Sequence, residues 1–402
     1  MYLSKHLIGK IEDTLKRFDS SFYFYDLDAL KAHLEIVSSE LDPNIKLWYA
    51  CKANPMSAVL KVLRNMKFGV DVASSGELHQ VMNAGIRGEN IIATGPGKSK
   101  EYLHHLLVNN VQTIVLESTN QLAWLDEVSE KLGQKTNALV RIQLDWKEGK
   151  SVLGGDAITP FGLGIKDWES VDFSKFKHVN IKGFHVFQWG NIMETSKLNE
   201  IWSKTVEDIL SFAKAKNLST EIIDLGGGLG VPYDLTSTGI KFSEVHEILK
   251  SVKEKYQLQT IWMELGRYTV AECGYYITKI IDIKNVRGKK LVVTEGGINH
   301  AARVALTNQA FPCHALYQSA EDKTEEYQVH GPLCTALDHL GTFDLPANLQ
   351  IGDRLVFNKA GAYGFTESMP YFLCHELPAE VISYNGDLMI PRPPKTAYDW
   401  MI

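Results

Sequence analysis

Eight short apolar runs, separated by amphipathic helical stretches, constrain this chain more than any other feature. The runs cover residues 46–51, 68–72, 90–93, 113–116, 138–142, 181–186, 221–225 and 260–263. Helical patterns lie between them at 55–65, 75–84, 100–109, 119–132, 197–216 and 243–256. Runs this short and this apolar read as strands buried on both faces, the pattern of a parallel sheet. Eight strand–helix units describe a (β/α)8 barrel, which needs about 250 residues. A doubly wound sheet shares the alternation and is the other architecture it allows.

After Arg267 the pattern changes to short β-rich segments at 275–283, 290–295, 354–358 and 380–383. Turn signals punctuate them: Arg287-Gly288, Gly296-Gly297, Ile351-Gly352-Asp353 and Asn385-Gly386. At 402 residues the chain exceeds one ordinary core. The expected organisation is an α/β TIM barrel over residues 25–268, with 1–24 and 269–402 forming an all-β domain.

Composition narrows the function classes. A net charge of −6 without a long basic run disfavours nucleic acid or an anionic membrane as partner. Residues 1–20 lack the apolar centre of a signal peptide, and no run is long enough to span a membrane. The five cysteines are scattered, with no CxxC pair, which points to a reducing cytoplasm and no structural metal.

Active residues of a (β/α)8 barrel lie at the C-terminal ends of its strands. Those ends carry Lys52, Asp71 with Ser74 and Glu77, Thr94-Gly95-Pro96-Gly97, Glu117, Arg141, His185 with Phe187, Gly226-Gly227-Gly228, and Glu264 with Arg267. Lys52 leaves a buried strand that Asn54-Pro55 stops at once. Desolvation there favours the neutral amine, the form that attacks a carbonyl to make a Schiff base. A lysine snorkelling from a strand end is the plain alternative. The glycines 226–228 bring backbone N–H groups toward one anion, a phosphate being the natural guest, or make only a tight turn. Gly95-Pro96-Gly97-Lys98-Ser99 is not a nucleotide P-loop, because the glycine required five positions before Gly97 is Ile92. Glu264 and Arg267 would suit a protonated ring nitrogen and a phosphate, or simply a surface ion pair. Schiff-base amine, phosphate cradle and pyridinium acid are together the three handles of pyridoxal 5′-phosphate.

The β-rich part adds two groups. Cys334, in His330-Gly331-Pro332-Leu333-Cys334-Thr335-Ala336-Leu337-Asp338, is either an exposed acid–base or a buried small hydrophobe. Tyr363, in Gly361-Ala362-Tyr363-Gly364, either reaches a phosphate or packs in a core.

In family order, these motifs resemble the fold-type III pyridoxal-phosphate decarboxylases of ornithine, arginine and diaminopimelate: YACKANP, DVASSGE, GFHVF, DLGGGLG, ELGR, EGG, GPLCTALD and GAY. The resemblance implies a barrel with a β-domain, pyridoxal 5′-phosphate as cofactor, and a cytoplasmic homodimer whose sites are completed by the partner's Cys334 loop. It implies Lys52 as the Schiff-base lysine, Gly226, Gly227, Gly228, Arg267 and Tyr363 on the phosphate, Glu264 on the pyridine nitrogen, and Cys334 as the acid that reprotonates the α-carbon. A carboxylate at Glu264, where alanine racemases carry arginine, favours decarboxylation.

Three departures from the family pattern stand out, two at the cofactor and one at the substrate. The family's ring-stacking histidine and its phosphate serine three residues later are matched to Phe187 and Gly190, with His185 expected on the opposite face of its strand. Thr335 stands where the polyamine- and lysine-forming relatives carry an acid that meets the substrate's distal ammonium. That implies a substrate whose distal end is acylated, citryl-linked or carrier-bound, as in siderophore and antibiotic synthesis. Thr335 and Asp338 are assigned to substrate binding, and Arg303 to a substrate carboxylate, with a solvated arginine as its alternative. Diaminopimelate, ornithine or lysine decarboxylation is the competing activity.

Overall fold

The computed structural model describes residues 2–39, 41–145 and 158–401. The chain divides into two compact units, His33–Val231 with Gly239–Thr269, and Met1–Ala32 with Pro232–Thr238 and Val270–Ile402.

The first unit is a closed barrel of eight parallel strands: β1 Ile45–Ala50, β2 Gly69–Val72, β3 Ile91–Ala93, β4 Thr113–Leu116, β5 Thr136–Gln143, β6 Val179–His185, β7 Ile222–Asp224 and β8 Thr260–Glu264. Each pairs with its sequence neighbour, and the β8–β1 pairing closes the ring. Closure decides against a doubly wound sheet. Trp48, Ile92, Val115, Leu139, Ile222 and Trp262 fill the interior as a packed core. The Trp48 and Trp262 rings meet at 4.9 Å and 63°. Trp48 fits because Gly69 lies beside it; a Cβ there would sit 2.2 Å from the indole.

In the loops leaving β2, β3 and β4, serines cap the helices that follow. Ser74, Ser99 and Ser118 accept from the N–H groups of Glu77, Tyr102 and Gln121 at 3.1–3.2 Å. Short capped loops hold the strand-end residues to fixed positions.

The second unit is built on a nine-stranded sheet. Its main path runs His339–Pro346, Thr324–His330, Lys289–Thr294, Gly274–Val286, Phe22–Asp26, Ala379–Tyr384, Asp387–Arg392. Arg354–Phe357 pairs with Gly274–Val286 and with Cys313–Ala315. Phe22–Asp26 lies between strands from the far end of the chain, antiparallel to one and parallel to the other. Leu7, Ile11, Phe22, Phe24, Ile277, Leu316, Val356, Ala379 and Val381 form a core beneath.

Candidate active site

Polar side chains converge at the C-terminal ends of the barrel strands, where water is largely excluded. Asp71, Glu117, Arg141, His185, Asp224 and Glu264 are all buried. Lys52 follows β1 in a single turn of 3-10 helix, Cys51–Ala53, and is half-buried, with Nζ 5.9 Å from the centre of the Phe187 ring.

Glu117 braces the loops around this centre. Its Oε1 accepts from Arg141 Nη1 and from the Gly95 N–H, both at 2.8 Å, and its Oε2 accepts from the Gly162 N–H at 2.9 Å. Arg141 Nη2 also donates to the Phe187 carbonyl at 3.3 Å. Lys98 turns inward within the same network and donates to the Gly95 carbonyl. Burial pushes the Lys98 amine down to about 8. The Gly95–Lys98 loop is thus a strut of the barrel mouth.

His185, Asp224 and Glu264 form a tight cluster, each with one donor atom within 4.8 Å of the others. His185 Nε2 lies 3.1 Å from Glu264 Oε1, close enough for attraction without hydrogen-bond alignment. Burial pushes the Glu264 carboxyl up, but His185, Lys52 and Arg141 outweigh it and hold Glu264 below the usual carboxylate value. Burial and the Glu264 charge push Asp71 well up, against the pull of Lys52. Burial and Glu264 do the same to Asp224.

These positions correct the expectation for the histidine. His185 ends β6 and faces the cluster, while Phe187 lies beyond the end of the strand, where alternation no longer sets its side. Gln188 stands three residues after His185. It accepts from the Leu144 N–H at 2.6 Å and donates to the Leu144 carbonyl at 2.8 Å. Gly190 has open space around it and shows no constraint of its own.

The Gly226–Gly228 loop lies against this cluster. A Cβ on Gly226 would sit 2.7 Å from Phe187 Cβ, and one on Gly227 2.2 Å from the Glu264 carbonyl oxygen. The Glu264 N–H donates to the Gly226 carbonyl at 2.7 Å, tying loop and acid together. Arg267 opens the short helix after β8 and is half-buried.

In the second unit, Cys334 is exposed in its turn, which answers the buried-hydrophobe alternative. Asp338 departs from its assignment to substrate. It is buried, and its carboxylate accepts from the N–H groups of Ile298 and Leu333, each at 2.7 Å. Side chains at Gly297 or Gly331 would collide with it. Asp338 therefore fixes the Cys334 turn. Thr335 Oγ1 accepts from the Leu337 N–H at 3.3 Å within that turn. Arg303 is buried rather than solvated: Nη1 meets Glu367 Oε2 at 3.0 Å, and the guanidinium lies 5.2 Å from the centre of the Tyr363 ring. Tyr363 adopts a left-handed backbone, φ 54°.

The barrel residues fit pyridoxal 5′-phosphate on their own geometry. Asp71 Oδ1, both His185 nitrogens, Asp224 Oδ2 and Glu264 Oε1 are buried without a hydrogen-bond partner. A cluster so costly to leave unsatisfied suits a polar ring docked against it. Beside it, the three glycines pack their backbone against Phe187, Glu264 and Trp189, so close that no side chain fits.

The pyridoxal-binding-domain model of the pyridoxal-dependent decarboxylases matches residues 27–271. The L-glutamyl-[BtrI acyl-carrier protein] decarboxylase of Niallia circulans is 30% identical, over 97% of this chain and 95% of that protein. The 2-[(L-alanin-3-ylcarbamoyl)methyl]-2-hydroxybutanedioate decarboxylase of Staphylococcus aureus is 28% identical, over 89% and 92%. The crystal structure of Helicobacter pylori diaminopimelate decarboxylase with L-lysine superposes with a TM-score of 0.85 at 24% identity, over 97% and 98%.

Proposed function

This chain belongs to the pyridoxal-dependent decarboxylases, and from that premise we propose that it removes the α-carboxylate of a modified amino acid, one acylated, citryl-linked or carrier-bound at its distal end. When bound, pyridoxal 5′-phosphate supplies the electron sink that cleavage of the carbon–carbon bond needs.

The chain's own residues divide the remaining work in this reading. Lys52 Nζ is the amine that holds the cofactor covalently. Glu264, kept anionic by His185, Lys52 and Arg141, holds a proton on the ring nitrogen. His185 and Phe187 support the ring. The N–H groups of Gly226, Gly227 and Gly228, with Arg267 and Tyr363, take the phosphate. Cys334, exposed in a turn that Asp338 fixes, returns a proton to the α-carbon after carbon dioxide leaves. In a homodimer the second copy brings its own Cys334 turn. Mixing inactive Lys52→Ala and Cys334→Ala proteins tests that arrangement, which requires activity to return in the mixture.

One observation carries the substrate reading. The turn from Leu333 to Asp338 offers no carboxylate to a distal ammonium: Thr335 is uncharged, and Asp338 is held by two backbone N–H groups. A free diamino acid would leave its distal ammonium without a partner there. The Niallia relative's name specifies a carrier-bound glutamyl group, and the staphylococcal one's an amide-linked alanine, which supports this reading. Carbon dioxide release from carrier-bound, citryl-linked and free amino acids, measured side by side, tests it. Faster turnover of free diaminopimelate, ornithine or lysine than of every modified substrate would overturn it.

A further inference from the structure

Asp224 has no part in the roles just described, yet it touches both ends of the cofactor cradle. Its Oδ1 accepts from the Gly226 N–H at 2.8 Å, at the start of the phosphate loop. Its Oδ2 is buried without a hydrogen-bond partner and belongs to the His185–Asp224–Glu264 cluster. The side chain is fully excluded from water. The Glu264 N–H donates to the Gly226 carbonyl at 2.7 Å, so Gly226 lies between the two acids and is bonded to both.

Two carboxylates this close in a dry site do not both ionise; one keeps a proton. The surroundings decide which. Glu264 has His185 at 3.1 Å, and the charges of Lys52 and Arg141 favour its anion. Asp224 has one backbone N–H and a weaker pull from Arg141, while Glu264 and Asp71 oppose its ionisation. We propose that Asp224 is a positioning residue that keeps the proton of the Asp224–Glu264 pair, so that Glu264 alone carries the negative charge offered to the ring nitrogen. A neutral acid at Asp224 acts in two ways: it orients the phosphate loop by Oδ1, and it leaves Glu264 anionic. The inference rests on Glu264 as the ring-nitrogen partner only for its consequence; where the proton sits is measurable without that role.

The test uses the full-length protein, with and without pyridoxal 5′-phosphate. Infrared difference spectra between wild type and Asp224→Asn at neutral pH should contain the carbonyl stretch of an un-ionised carboxyl, lost in the variant. The same band should persist in Asp71→Asn, which separates the two buried aspartates. In Glu264→Gln, with the opposing charge removed, the Asp224 band should titrate at a lower pH than in wild type. Asp224→Ala should bind the cofactor about 10-fold more weakly, from loss of the Gly226 contact. If that variant fails to fold, the 13Cγ shift of labelled aspartate in wild-type protein reports the same proton. A carboxylate signal for Asp224 at neutral pH, or a band that moves to Glu264, overturns the proposal and leaves the cofactor assignment untouched. Loss of cofactor binding in Glu264→Gln bears instead on the ring-nitrogen role.

Discussion

Replacing Gly227 by alanine tests the cradle with a single methyl group. The added Cβ would stand 2.2 Å from the carbonyl oxygen of Glu264, about 1 Å inside ordinary contact, and no flexible side chain is there to yield. The strain must fall on the backbone that joins loop and acid, including the 2.7 Å bond from the Glu264 N–H to the Gly226 carbonyl. Overpacking of this kind costs about 1–3 kcal/mol. On the proposed placement the cofactor spans loop and Glu264, so most of that cost should appear as lost affinity, about 10- to 100-fold. Titration of the cofactor-free variant with pyridoxal 5′-phosphate, followed by absorbance, measures the loss, and urea unfolding without cofactor measures the remainder. Gly190→Ala is the control, since a Cβ there meets nothing within 4 Å. Wild-type cofactor affinity in Gly227→Ala would refute the placement of the phosphate in this loop.

Three further outcomes are expected. Asp338→Ala leaves the buried N–H groups of Ile298 and Leu333 without acceptors, which should destabilise the protein by about 2–4 kcal/mol in urea unfolding and lower kcat more than it raises KM. His300 is held neutral between the Tyr276 hydroxyl at 2.9 Å and the Glu376 carbonyl at 2.7 Å, and burial pushes it down to about 4. The unfolded chain therefore takes up this proton first as pH falls below about 6.5, so stability should drop by about 2 kcal/mol from pH 7 to pH 5, and His300→Gln should remove that dependence. Thr335→Asp should shift the ratio of kcat/KM about tenfold toward free diamino acids, measured by carbon dioxide release from paired substrates.

The barrel was legible because its strands are short, apolar and buried on both faces. β4 matches the expected run 113–116 residue for residue, and the other seven strands differ at their ends by one or two residues. The β-rich unit was less readable. Thr324–His330 and His339–Pro346 are polar on their outer faces, with Glu325, Glu326 and Asp344 breaking any apolar run. Phe22–Asp26 finds its partners hundreds of residues away, and no local pattern encodes that pairing.

Residue type at a strand end singled out Lys52, Glu264 and the glycine loop, which the structure brings together at the barrel mouth. It failed where roles depend on contacts distant in sequence. Asp338 looked like a substrate ligand because its grip on Ile298, 40 positions away, is invisible in the motif. Asp224 passed as one residue of an apolar run; its signal was a lone acid just before three glycines. His185 was expected to face away because alternation was carried past the strand end; the strand stops at His185, which lies 3.1 Å from Glu264.

Lys52, in the turn after β1, is proposed as the residue that carries the cofactor. Borohydride reduction of the cofactor-loaded protein, followed by proteolysis and mass spectrometry, tests it directly. A pyridoxyl group is expected on Lys52 and none on the buried Lys98. A pyridoxyl group on any other lysine, with Lys52 unmodified, would contradict it.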